Sequence, residues 1–356
     1  MKEEHVYPYE WSLKDANFSK DKGKVFSCFS CGGGSTMGYK LAGFDVIGCN
    51  EIDPKMMNAY KTNHKPLFPY LEPIQTFKLR KDLPKELYNL DILDGSPPCS
   101  SFSMSGNREK DWGKEKKFRE GQANQVLDNL FFDFIDLAKE LKPKVVIAEN
   151  VKGLMMGSAK QYVRRIYEEF DNAGYHCQHW LLDASKMGVP QRRERIFFVC
   201  LRKDIAEPFL YQKDFFTQAP FLKLEFKEKN ITYQEVEDIN AETPTDIRES
   251  YSTLWENCKA GYNFSTVHEK GHYFGEIKMS PTKVPNTIIA NSHGSFLWHH
   301  NILRKLNTLE YCRIGSYPID YNFAENNAKY LIGMSVPPVM IAQIANQVYK
   351  QWLNKL

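Results

Sequence analysis

The residue best suited to covalent chemistry is Cys99, at the end of Gly95-Ser96-Pro97-Pro98-Cys99. A thiolate is a nucleophile, and two prolines ahead of it stiffen the turn and so aim the sulfur. The apolar run 90–93 comes just before, which puts the turn at the end of an expected strand. Open α/β sheets hold their ligands at such ends. A buried cysteine beside an ordinary proline turn would have the same local sequence. Glu149-Asn150-Val151 follows Val145-Val146-Ile147-Ala148, and a carboxylate closing an apolar strand is expensive unless it is used or paired. Gln191-Arg192-Arg193-Glu194-Arg195 precedes another apolar run. Arg193 and Arg195 alternate, so both can face one side, and guanidinium groups there suit a phosphate or a carbonyl. The alternative for this run is a solvated charged edge.

Gly32-Gly33-Gly34 stands between an apolar run at 25–29 and a helix-like stretch, where it suits a ligand turn and an ordinary tight turn equally. Glycines let a backbone approach a ligand closely. Glu51 closes the second strand, where its carboxylate can accept from both hydroxyls of a ribose. An adenosine cofactor fits, and a nicotinamide dinucleotide and S-adenosylmethionine fit equally well. Cys28 and Cys31 form a C-x-x-C pair. Zinc would need two more ligands and none is near in sequence; a thiol redox pair is the other reading. His268-Glu269-Lys270-Gly271-His272-Tyr273-Phe274-Gly275 matches the zinc-peptidase pattern H-E-x-x-H-x-x-G. Its third ligand position is Lys278 and its flanks lack the apolar stripe of a helix, which argues against zinc hydrolysis.

These residues need a scaffold, and the hydrophobic pattern supplies one. Strands are expected at 25–29, 44–49, 90–93, 144–148 and 195–201, with helices at 126–141 and 161–172. Such alternation implies a mostly parallel sheet covered on both faces, an α/β fold. From about 203 to 284 the chain turns polar and aromatic and loses this rhythm. It closes with an amphipathic helix at 339–353 after Pro337-Pro338. The expected organisation is an N-terminal extension at 1–23, a cofactor-binding domain at 24–202, a small separate domain at 203–284, and a return to the first domain at 285–356.

Composition sets outer limits. The chain has 356 residues, 42% of them hydrophobic and 26% charged, enough for a large core and unlike a disordered chain. A net charge of +3 permits a nucleic-acid partner, but any basic surface must be local. Eight scattered cysteines read as a reduced, intracellular (cytoplasmic) protein rather than a disulfide scaffold. No apolar run long enough for a membrane span is evident, and no signal-peptide core.

Taken together and in order, these motifs resemble the C5-cytosine DNA methyltransferase family over most of the chain. Phe29-Ser30-Cys31-Gly32-Gly33-Gly34 is similar to its S-adenosylmethionine (SAM) loop, with Cys31 where the family has Gly. Glu51 and Ile52 stand where the ribose-binding acid and an adenine-packing residue belong. Pro98-Cys99 resembles the catalytic Pro-Cys, and Ser103, Ser105 and Gly106 continue that loop. Glu149-Asn150-Val151 and Gln191-x-Arg193-x-Arg195 match two further signatures. Arg304-x-Leu306-Asn307-x-x-Glu310-x-x-Arg313 with Tyr317-Pro318 resembles the ninth motif, and Gly333-Met334-Ser335-Val336-Pro337 the tenth.

The resemblance implies a Rossmann-like SAM-dependent methyltransferase domain with a small target-recognition domain at 203–284. SAM would lie against Phe29, Gly32, Gly33, Gly34, Glu51, Ile52, Pro98 and Ser335. Pro97, Ser103, Ser105, Gly106, Gln191 and Arg304 would face the substrate, double-stranded DNA. Cys99 would add to carbon 6 of a flipped-out cytosine, making carbon 5 nucleophilic. Glu149 would serve ring nitrogen 3 as an acid, Arg195 would grip the ring carbonyl, and Arg193 would position Glu149 or a phosphate. The polar loop at 100–124, with Lys110, Lys114, Lys116, Lys117 and Arg119, would close over the base, and Ser105 would enter the duplex. No metal is expected. A monomer in a restriction-modification system, sharing its site with a cognate restriction endonuclease, completes the expectation; the family's tRNA-methylating branch is the alternative.

Overall fold

The protein is described here by a computed structural model, covering residues 5–98, 115–116, 125–126, 129–156, 159–212, 218–241, 249–273, 275–290, 296–297 and 303–356. Its chain divides into two compact units. One comprises Asn17–Asp183, Glu194–Glu225 and Ile341–Leu356; the other comprises Met1–Ala16, Ala184–Arg193 and Phe226–Met340. The units cut the chain at other places than the sequence segments do. Residues up to 225 go with the sheet because Trp352, fully buried, donates from Nε1 to the Phe221 carbonyl at 2.7 Å. Residues up to 16 go with the second unit, where Trp11 Nε1 donates to the Ser316 carbonyl at 2.9 Å.

The first unit is built on seven strands: β1 (Lys24–Cys28), β2 (Asp45–Glu51), β3 (Phe68–Leu71), β4 (Ile92–Gly95), β5 (Val145–Val151), β6 (Tyr175–Asp183) and β7 (Glu194–Arg202). Their order is β3-β2-β1-β4-β5-β7-β6. All neighbours pair in parallel except that β7 runs antiparallel to both β5 and β6. The central strands are apolar on successive residues, as burial of both faces requires; Val25, Phe26, Ile92, Leu93, Val145 and Val146 are fully enclosed. This is the mostly parallel, Rossmann-like α/β sheet that the alternating pattern implies.

Helices cover the sheet. α1 (Gly34–Leu41) leaves the glycine turn, and α2 (Pro54–His64) starts with Asp53 capping the Lys55 and Met56 amides and Pro54 in its first turn. α3 (Leu130–Leu141) presents Leu130, Phe131, Phe134, Ile135, Leu137 and Leu141 to the core, each worth roughly 1.5–3 kcal/mol of burial. It starts later than the periodicity suggests because Gln125–Val126 pairs as a short antiparallel ladder with Glu115–Lys116. α4 (Ala159–Asn172) buries Tyr162, Ile166 and Phe170 against the same core.

The second unit contains α5 (Glu249–Asn257), α6 (Thr308–Ile314), α7 (Ala328–Met334) and the start of α8 (Pro338–Gln351). Its polar centre is Glu310, fully buried at the third position of α6. Arg304 donates to it twice at 2.8 Å, Tyr233 Oη once at 2.6 Å, and Asn307 completes the capping box. The stretch Ala328–Lys355 matches a membrane span in length and hydropathy, but 89% of its most apolar window is buried within the protein.

Candidate active site

The glycine turn is shaped by its neighbours. Phe29, Cys31 and Gly33 all take positive φ, at 52°, 47° and 88°, an uncommon conformation for the two non-glycines. Gly33 N–H donates to the Ser30 carbonyl at 2.8 Å, and Ser30 N–H reaches the Asn50 carbonyl at 3.3 Å. A Cβ on Gly33 would lie 2.3 Å from His64 Nε2, so the imidazole accounts for the glycine. Burial pushes the His64 pKa down to about 3, and the neutral ring donates from Nε2 to the Gly32 carbonyl at 3.3 Å.

Glu51, at the end of β2, ties the turn down. Its carboxylate accepts the amides of Cys31 at 2.7 Å and of Ile52 and Asp53 at 2.9 Å each. Burial pushes this carboxyl up, and the three amides pull it back. A carboxylate offers about four acceptor positions, so one remains for a ligand hydroxyl rather than the pair expected for a ribose. Ser30 Oγ is buried beside the Cys49 thiol with no hydrogen bond of normal geometry among the described residues. Phe29 packs edge-on against Phe134 at 6.3 Å between centroids, and Ile52 is half-buried. Gly32 and Gly34 are enclosed. A polar adenosine-type ligand fits this donor and acceptor set. Cys28 is enclosed and its thiol pushed far above the usual range by burial, while Cys31 Sγ contacts Met56 Sδ at 3.5 Å. Neither environment favours a redox thiolate.

At the next strand end, Asn150 fixes the proline turn: its Nδ2 donates to the Pro97 carbonyl at 3.1 Å, and its Oδ1 accepts the Val151 amide at 2.8 Å. Pro97 is buried and Pro98 half-buried. Cys99, Ser103, Ser105 and Gly106 lie outside the described residues, as do Lys110, Lys114, Lys117 and Arg119 of the expected closing loop. One residue back from Asn150, Glu149 pairs with Arg195 Nε at 2.9 Å. Burial lowers the Arg195 pKa and Glu149 raises it back. Arg195 Nη1 also donates to the Glu194 carbonyl at 2.8 Å. A carboxyl and a guanidinium side by side offer both a proton site and a fixed positive charge.

Sequence reasoning passed over Asp94, inside β4 and fully buried. Ser27 Oγ donates to it at 2.7 Å and Tyr39 Oη at 3.1 Å. Burial pushes its pKa up to about 7 against those hydrogen bonds and one from Ser35, and the charge of Glu149 adds to the rise. The signal was available, since an acid within Ile92-Leu93-Asp94-Gly95 violates the apolar run just as Glu149 does.

The remaining candidates belong to the second unit. Arg193 precedes β7 instead of continuing it, and its guanidinium donates to the carbonyls of Ser335 at 2.9 Å, Gly333 at 3.0 Å and Ile288 at 3.3 Å. Gln191 bridges the Ile314 carbonyl and the Ile288 amide. Ser335 Oγ donates to the Leu331 carbonyl at 2.9 Å. Arg304, expected at the DNA, has its guanidinium committed to Glu310. These four side chains hold loops and helices of their own unit together. His268 and His272 lie outside any helix, their rings stacked 5.2 Å apart. His268 Nδ1 accepts the amides of Lys270 and His272. No cluster of three metal-ligating side chains occurs among the described residues.

Comparison with known proteins agrees with this sheet. The chain is 29% identical to the Type II methyltransferase M.FnuDI of Fusobacterium nucleatum, across 93% of this chain and 96% of that one. It is 27% identical to M.Bsp6I of a Bacillus species, across 93% and 99%. Among solved structures, a putative DNA modification methyltransferase encoded within an E. coli prophage superposes with a TM-score of 0.64 at 18% identity, covering 92% of this chain and 99% of that one. The S. pombe Dnmt2 methyltransferase superposes with a TM-score of 0.60 at 16% identity, covering 92% and 98%. At such identities the likeness is one of fold. The sequence model of C-5 cytosine-specific DNA methylases runs from residue 23 to residue 350, leaving out only the chain's two ends: this protein belongs to that family.

Proposed function

We propose that this chain methylates carbon 5 of a cytosine flipped out of double-stranded DNA, using SAM and a transient bond from Cys99 to carbon 6. The observation that carries the reading is the pairing of Glu149 with Arg195 at 2.9 Å, one residue from the Asn150 amide that holds the Pro97 turn. Chemistry beside the Pro-Cys turn needs a proton site and a positive charge together, and this pair supplies both. The glycine turn, Ser30 and the fourth acceptor position of Glu51 are the groups that would hold the adenosine portion of SAM. When bound, SAM supplies an electrophilic methyl group.

Attack by the Cys99 thiolate forms the sulfur–carbon 6 bond and moves electrons toward carbon 5. Glu149 delivers or shares a proton at ring nitrogen 3, which stabilises that electron density. Arg195 is within reach of both Glu149 and a carbonyl seated beside it, and its charge offsets what develops on the ring. Once carbon 5 carries the methyl group, it loses its proton to a base such as water, and the sulfur–carbon bond breaks. Extruding the base costs a few kcal/mol, which DNA contacts must offset. We assign target reading to 203–284 and infer a cognate restriction endonuclease from the Type II relatives; the family's description as DNA methylases favours DNA over tRNA as the substrate.

The test is incubation with SAM and duplex oligonucleotides carrying 5-fluorocytosine, whose carbon 5 has no proton to lose. A denaturation-resistant protein–DNA complex should accumulate with wild type and not with Cys99→Ala. Trapping on tRNA instead of DNA would overturn the substrate assignment, and methylation that persists in Cys99→Ala would overturn the thiol route.

A further inference from the structure

We propose that Asp94 is a positioning residue for methyl transfer, holding the strand that leads into Pro97-Pro98 in register with the strand and helix that flank the glycine turn. The inference rests on the methyltransferase reading of the site. Asp94 sits on β4, five positions ahead of Cys99, and its side chain is 2% exposed. Its two oxygens receive hydroxyl hydrogens from two other elements: Ser27 of β1 at 2.7 Å and Tyr39 of α1 at 3.1 Å. The Ser35 hydroxyl, in the first turn of α1, also faces it. Ser27 immediately precedes Cys28, where β1 ends and the glycine turn begins, while α1 starts where that turn ends. One carboxyl therefore fastens both flanks of the turn to β4. Main-chain pairing also joins β1 to β4, from Val25↔Ile92 to Cys28↔Gly95, while Tyr39 fastens α1 to β4 by a side-chain bond.

The protonation state matters to this fastening. An ionised carboxyl accepts from all three hydroxyls. A protonated one brings a donor of its own, and one hydroxyl must turn round to accept it. The titratable groups facing Asp94 are Cys28 on β1, Tyr39 on α1, Tyr60 on α2 and Glu149 on β5. Burial holds the first three neutral, and the Coulomb interaction with Glu149 adds to the rise at Asp94. Desolvation brings the Asp94 carboxyl to about 7, so the fastening changes across neutral pH.

The experiment compares full-length wild type, Asp94→Asn, Asp94→Leu and Tyr39→Phe between pH 6 and 8. It measures the SAM dissociation constant by calorimetry and the single-turnover methylation rate on duplex DNA. The wild-type rate should fall several-fold from pH 8 to pH 6. Asp94→Asn, which cannot ionise and brings a donor as the protonated acid does, should run several-fold slower than wild type at pH 8 and show a smaller fall toward pH 6. Asp94→Leu should slow transfer at least tenfold while SAM affinity changes less, and Tyr39→Phe should fall between. An Asp94→Asn enzyme with the wild-type pH profile, or an Asp94→Leu enzyme with the wild-type rate, overturns the proposal. If Asp94→Leu does not fold, the Asn and Phe variants decide it. A wild type that binds SAM yet methylates no cytosine refutes the site reading instead, and the pH dependence of SAM affinity then still tests the Asp94 network.

Discussion

At the scale of residues, β2, β4 and β5 each carry at or near their ends an acid that a sheet interior would reject, and each of the three is engaged. Glu149 has Arg195, Asp94 has Ser27 and Tyr39, and Glu51 has three backbone amides. Replacing Glu149 by Gln removes the proton site and leaves Arg195 without its ionic partner. Single-turnover rates should drop by about 10²–10⁴, and SAM affinity should stay within a few-fold; equal losses in both would argue for a purely structural acid. Gly33→Ala places a methyl group 2.3 Å from His64 Nε2 at a φ of 88°. It should weaken SAM binding at least tenfold, and adding His64→Ala should restore part of that affinity, as calorimetry can show.

The elements explain what could be read ahead of time and what could not. Strands β1, β2, β4, β5 and β7 announce themselves as apolar runs ending in turn or polar signals, and the residues at their ends were legible with them. Helix α2, with Lys55, Asn58, Lys61, Thr62 and Asn63 facing out, has too few apolar positions to show a stripe, although Asp53-Pro54 marks its start. Strand β3 contains Pro69, which only an edge position tolerates. Strand β6 carries His176, Gln178 and His179 and lies at the other edge, so neither reads as a core strand. The Arg193–Arg195 alternation misled because the strand begins at Glu194. Arg304 is expected at the DNA only through the resemblance to the ninth motif, and nothing in its local sequence announces that its guanidinium pairs twice with the buried Glu310 six residues on. Trp352, just past the end of α8, is worth testing: Trp352→Ala should destabilise the protein by roughly 3–5 kcal/mol in urea unfolding, since it empties a fully buried site and orphans the Phe221 carbonyl.

Across the whole molecule, two buried groups set opposing pH dependences of stability. His64 has a folded pKa near 3, below its unfolded value. Its contribution is present above about 6.5 and is lost as pH falls toward 3, which between pH 7 and pH 5 amounts to about 2 kcal/mol. Asp94 has a folded pKa near 7, above its unfolded value. Its contribution is present below about 4 and is lost as pH rises through 7, again about 2 kcal/mol between pH 5 and pH 7. The two slopes oppose each other, so removing either should expose the other. Urea unfolding of Asp94→Asn should show a steeper loss of stability on acidification than wild type, and His64→Asn a steeper loss on raising the pH; parallel curves for all three proteins would refute both assignments.

One reversed strand has a consequence for how the acid and the guanidinium come to meet. Because β7 runs against β5, the chain enters it at the edge where β5 leaves, and Val151 stands opposite Arg195. Had β7 run the other way, its opening residues would sit at the far border of the sheet, roughly 25 Å off at about 3.3 Å per residue. The partner of Glu149 is thus contributed by an arriving segment instead of a departing one, and the span before residue 194 can lengthen or shorten without dragging Arg195 from its post.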